Sequence, residues 1–86
     1  MNDRAFGDDA GERPLDTLSP GESGRIARID AEPAITRRLM ELGLVPGTEI
    51  VMVRVAPLGD PLEVDVRGLH LSLRRSEAGQ IHVAPR

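Results

Sequence analysis

Pro33-Ala34-Ile35-Thr36-Arg37-Arg38-Leu39-Met40-Glu41-Leu42-Gly43-Leu44-Val45-Pro46-Gly47-Thr48 is the stretch on which the fold turns, because it holds the strongest helical pattern in the chain together with its stop signal. Pro33 suits a first helical position, where its missing N–H would be unpaired in any case. Ile35, Leu39 and Leu42 fall at i, i+4 and i+7, which puts them on one face and leaves Arg37, Arg38 and Glu41 pointing elsewhere. Gly43 is placed to act as a left-handed cap and Leu44 to fold back on the last turn. Val45-Pro46-Gly47 then forbids continuation. The spacing predicts a helix of about three turns lying on an apolar surface.

Everything on either side reads as short strands. Thr48 to Val55 is rich in β-branched residues, with Ile50 and Met52 on one face and Val51, Val53 and Val55 on the other. Two apolar faces predict a strand that is central or covered by the helix. Ala56-Pro57-Leu58-Gly59-Asp60-Pro61 is a turn-rich connection with a proline near either end. Leu62, Val64 and Val66 alternate with Glu63, Asp65 and Arg67, and after Gly68 a second alternation sets Leu69, Leu71 and Leu73 against His70 and Ser72. Arg74 to Gly79 reads as a helical turn or loop, and Ile81-His82-Val83 as the last strand. Upstream, Gly24 to Asp30 is a strand of imperfect alternation that follows a Ser19-Pro20-Gly21-Glu22 turn. Residues 1–13, with Asp3, Asp8, Asp9 and Glu12 against Arg4 and Arg13, read as a flexible acidic leader to a domain over 14–86. Five short strands with one inserted α-helix favour a small, partly open antiparallel β-barrel.

Composition narrows the function by exclusion. The chain has 86 residues, so one domain is expected. Fourteen acids against eleven bases give a net charge of −3, which argues against nucleic acid as a partner. The absence of cysteine removes disulfides, thiolate metal sites, iron–sulfur clusters and thiol catalysis together. Phe6 is the sole aromatic, so base-stacking platforms and the aromatic grooves that bind Pro-rich peptides are not expected. No segment approaches the roughly 20 apolar residues of a membrane span, and no signal peptide is legible, which predicts a cytoplasmic protein with no direct membrane insertion. No nucleophile elbow, P-loop or pair of acids in an apolar setting is present, so no catalytic residues, no cofactor and no enzyme activity are expected.

The helix and its exit, Arg38-Leu39 to Leu42-Gly43-Leu44 followed by Val45-Pro46-Gly47, resemble the core motif of the ferrous iron transport protein A family. The Ala56–Pro61 loop resembles that family's second hallmark, and Leu71-Ser72-Leu73-Arg74-Arg75-Ser76-Glu77-Ala78 with Ile81-His82-Val83 its third. The likeness runs from about Leu15 to Val83, with three hallmarks in order. It implies an SH3-like barrel, and a small cytosolic accessory to the membrane ferrous iron permease, a transporter with a cytosolic GTP-binding domain. It also implies kinship with the C-terminal module of metal-dependent repressors, although nothing here resembles their DNA-binding half.

Several side chains are candidates for the contact. Leu58, at the tip of Pro57-Leu58-Gly59-Asp60, either tucks into the barrel or stays exposed for a partner. In the second case the flanking prolines reduce the ordering cost of binding. Leu58, Gly59 and Asp60 are therefore candidate partner-binding residues. Arg37 and Arg38 join them as cations suited to an acidic partner, with Arg74-Arg75 as a further basic pair, against the alternative of a solvated helix face. His70 and His82 lie between aliphatics and are expected to point outward near Asp65 or Glu63. They are the weak metal candidates of a second reading, in which the domain is a transition-metal chaperone or sensor.

Overall fold

The computed structural model describes residues 11–85. In chain order these form β1 (Arg13–Pro14), a 3₁₀ turn (Leu15–Thr17), β2 (Ser23–Ile29), α1 (Pro33–Glu41), β3 (Glu49–Val55), β4 (Leu62–Val66), β5 (Leu69–Leu73), α2 (Arg75–Ala78) and β6 (Ile81–Pro85). All strands join one antiparallel sheet in the order β1-β6-β2-β3-β4-β5, left open between its edges β1 and β5. The partly open antiparallel barrel expected from the strand count is this sheet wrapped on a single core. It has six strands rather than five, because Arg13 and Pro14 pair with Val83 and His82. Arg13 is thus a strand residue at the point where the leader was expected to end, while residues 1–10 lie outside the described residues.

The helix stops by the mechanism its sequence announces. Glu32 is the N-cap and Pro33 the first residue of α1. At the other end Gly43 adopts φ +100°. Its N–H donates to the Met40 carbonyl at 3.0 Å, and the Leu44 N–H donates to the Leu39 carbonyl at 3.1 Å, the two bonds of a Schellman motif. This reversal corrects one assignment on the apolar face. Leu42 was expected to share the burial of Leu39, but it is the C-cap and is 41% exposed, while Leu44 is swung back underneath and is fully buried. Nothing lies within 4 Å of the position a Gly43 Cβ would take, so the cost of a side chain there is backbone strain alone. Gly43→Ala is expected to lower stability by about 1 kcal/mol in chemical denaturation, with no change in the folded spectrum away from residues 39–45.

Two β-bulges set which residues reach the core. In β3 the register shifts between Met52↔Val64 and Arg54↔Glu63, so Val53 is the extra residue. The parity flips there, and Val55 packs against the core with Ile50 and Met52 instead of facing outward with Val51 and Val53 as strict alternation predicts. In β2 the same device at Ala27, between Ile26↔Val83 and Arg28↔His82, lets both Ile26 and Ile29 face inward. This is the physical reason for the imperfect alternation in Gly24 to Asp30. The core gathers Leu15 from the 3₁₀ turn and Leu18 just after it, Leu39 and Leu44 from the helix and its exit, Ala78 from α2, and inward residues of β2 to β6.

Candidate functional site

The β3–β4 connection is built to project. The Ala56 N–H donates to the Pro61 carbonyl at 3.0 Å and closes the base of the loop. The Gly59 N–H donates to the Ala56 carbonyl at 2.7 Å across a β-turn. Gly59 takes φ +88°, a conformation that favours glycine. The outcome for Leu58 is decisive: it is 96% exposed, the most exposed large apolar side chain among the described residues.

The two residues that follow it are held by Arg75. The Gly59 carbonyl accepts a 2.7 Å hydrogen bond from Arg75 Nε, and the Asp60 carboxylate accepts a 3.0 Å bond from the Arg75 backbone N–H. Arg75 Nη1 also lies 3.4 Å from both the backbone carbonyl and Oδ2 of Asp16. Sequence reasoning placed Arg75 only in a basic pair. Its role as a clamp was not legible, because its acceptors lie 16 and 59 residues away along the chain.

Arg37 and Arg38, adjacent in sequence, are separated in space. Arg38 forms an ion pair with Glu77 of α2, whose other carboxylate oxygen accepts the Arg74 N–H at 2.9 Å. Arg38 therefore lines a recess of about 350 Å³ with Leu42, Pro61, Ser72, Arg74 and Glu77, beside the base of the Leu58 loop. Arg37 lies on the other flank of α1, along an apolar groove of about 740 Å³ with Ala31, Pro33, Thr36, Met40 and Val45. The structure thus brings Arg38 and the loop together and leaves Arg37 on a different surface.

The histidines lie on β5 and β6, with β2, β3 and β4 between those strands in the sheet. His70 is opposite Asp65 in register, and its Nε2 lies 2.9 Å from Glu63 Oε1. The other Glu63 oxygen is 2.9 Å from Arg54 Nη1, directly across the ladder. The hydrogen bond from His70, opposed by partial burial and reinforced by Arg54, holds the Glu63 carboxyl below the usual carboxylate range. His82 pairs in register with Pro14 on one side and Arg28 on the other. Among the described residues no three His, Asp or Glu side chains gather where they would hold a metal ion.

A lowered carboxyl pKa in the folded state contributes stability that is complete above the ordinary carboxylate pKa. That contribution fades as the pH falls through the folded value. His70→Ala is expected to move the Glu63 pKa back up toward the ordinary value, as read by carbon NMR titration of the carboxyl. An unmoved Glu63 titration would mean that Arg54 alone sets it.

A small antiparallel sheet wound on one core, with a helix inserted between its early strands, defines an SH3-like domain. Stenotrophomonas maltophilia FeoA complexed with zinc, described as a prokaryotic SH3 domain protein, is a solved structure of this kind. It matches at a TM-score of 0.74 and 36% identity, over 85% of this chain and 94% of that one. The FeoA protein of Chlorobium tepidum matches at a TM-score of 0.75 and 46% identity, over 81% of this chain and 69% of that one. The FeoA domain family model matches residues 13–85. The chain belongs to the FeoA domain family. It is also 35% identical over 69 residues to an Fe(2+) transport protein A/Fe(2+) transporter FeoB fusion protein of Porphyromonas gingivalis. That match spans 80% of this chain and 8% of the relative's length. No helix among the described residues is long and apolar enough to cross a membrane.

Proposed function

We propose that this domain is a small cytosolic accessory of the membrane ferrous iron permease, docking on the permease's cytosolic face and regulating iron uptake. The observation that carries the proposal is the fused relative. In it a domain similar to this chain and the transporter are one polypeptide, so the two work at permanently high local concentration. Docking that does not depend on such a covalent link needs a surface. Leu58, offered almost wholly to solvent on a closed loop, supplies the apolar contact, and Arg38 beside the loop base supplies a cation for an acidic rim. The accessory role needs recognition and no bond-making chemistry. It is tested by ferrous iron uptake in cells that hold the permease but lack this domain. Wild type should restore uptake and Leu58→Asp should not, at equal protein levels. Equal restoration by both would remove Leu58 from the contact.

A further inference from the structure

We infer that Arg75 is a positioning residue for the docking surface, holding the Leu58 loop in its binding-ready conformation; this rests on the accessory reading above. The loop's own two bonds, Ala56 N–H to the Pro61 carbonyl and Gly59 N–H to the Ala56 carbonyl, fix its shape without attaching it to anything. Arg75 makes the attachment. Its Nε holds the Gly59 carbonyl at 2.7 Å, one residue from the tip, and its backbone N–H holds Asp60 at 3.0 Å. The far end of the same guanidinium reaches Asp16 at 3.4 Å. Asp16 follows Leu15, which is fully buried, and α2 is seated by buried Ala78, so both ends of the clamp are rooted in the core.

The arrangement suits a guanidinium and no other side chain. Its fixed fork serves the Gly59 carbonyl and Asp16 together, whereas a lysine ammonium on a flexible stem cannot be held to both at once. An exposed leucine that must be ordered at the moment of binding loses part of its contact energy to that ordering. A leucine whose loop is already held does not. The partner that fits such a rigid apolar knob is a preformed apolar recess on the permease, not a segment that wraps around the tip.

Wild type, Arg75→Ala, Arg75→Lys and Leu58→Asp are compared by nitrogen relaxation of the Leu58 and Gly59 amides and by affinity for the full-length permease. Arg75→Ala should raise fast motion at Leu58 and Gly59 and weaken binding about tenfold, while the amide shifts of Ile50, Met52 and Val64 stay in place. Arg75→Lys should fall between the two in both readouts. If Arg75→Ala disturbs the core shifts, the lysine variant carries the comparison. Unchanged loop motion in the variant with an intact core overturns the inference, as does wild-type affinity alongside a measurable loss in Leu58→Asp. If Leu58→Asp itself binds normally, the docking reading fails, and the relaxation data still decide what Arg75 does to the loop.

Discussion

Leu44→Ala is expected to lower the unfolding free energy by about 3 kcal/mol, the middle of the range for truncating a fully buried leucine. Leu44 is fully buried, and the Schellman turn delivers it beneath the helix to join Leu39, so the space it leaves is walled by elements that cannot easily collapse. A small domain is stable by only about 5–15 kcal/mol, so the loss is a large share of the whole. In urea the midpoint should fall with little change in slope, and in a thermal scan the midpoint should fall by about 15 °C. A loss below about 1 kcal/mol would mean that the helix exit is not the keystone the hydrogen bonds describe.

Leu58→Asp is the opposite case. The side chain is almost wholly exposed, so its replacement should change stability by no more than about 0.5 kcal/mol. On the accessory reading it should nonetheless weaken binding to the permease by about thirtyfold, as expected when an apolar anchor is replaced by a charge that must be desolvated in an apolar recess. The two leucines therefore separate fold from function. One variant is read by denaturation and the other by affinity, and each should be nearly silent in the other assay at temperatures where both are folded. A Leu58→Asp variant that melts several degrees lower, or that binds like wild type, would show that the loop tip has been given the wrong role.

How much was legible in the sequence depended on the range of the interactions. The helix, its proline start and its glycine stop are local, decided within about five residues, and Pro33–Glu41 with Gly43 at φ +100° follows from them directly. Leu42 was misplaced because helical periodicity continues through the cap on paper, whereas the chain has already reversed. The bulges at Ala27 and Val53 break the period of two, so Val55 was assigned to the wrong face. A bulge is fixed by how two strands must cover one core, which no single strand reveals. The two-residue β1 carries no alternation at all and is defined only by its partner β6.

The candidate site divides the same way. The glycine and prolines of the 56–61 loop announce a turn, but whether Leu58 goes in or out is settled by core space elsewhere. Arg37 and Arg38 look alike in sequence and part company because adjacent helical residues point about 100° apart. The outward His70 was expected near Asp65 or Glu63, and it meets Glu63 because strand alternation puts all three on one face of β4 and β5.

The most direct test of the accessory role is binding of this domain to the full-length ferrous iron permease in nanodiscs, with and without a non-hydrolysable GTP analogue. The full-length transporter presents every cytosolic surface at once, so the result does not depend on guessing which one is used. Saturable binding that Leu58→Asp weakens in at least one nucleotide state is the expected result. No saturable binding in either state would contradict the accessory role and leave the SH3-like fold without this partner.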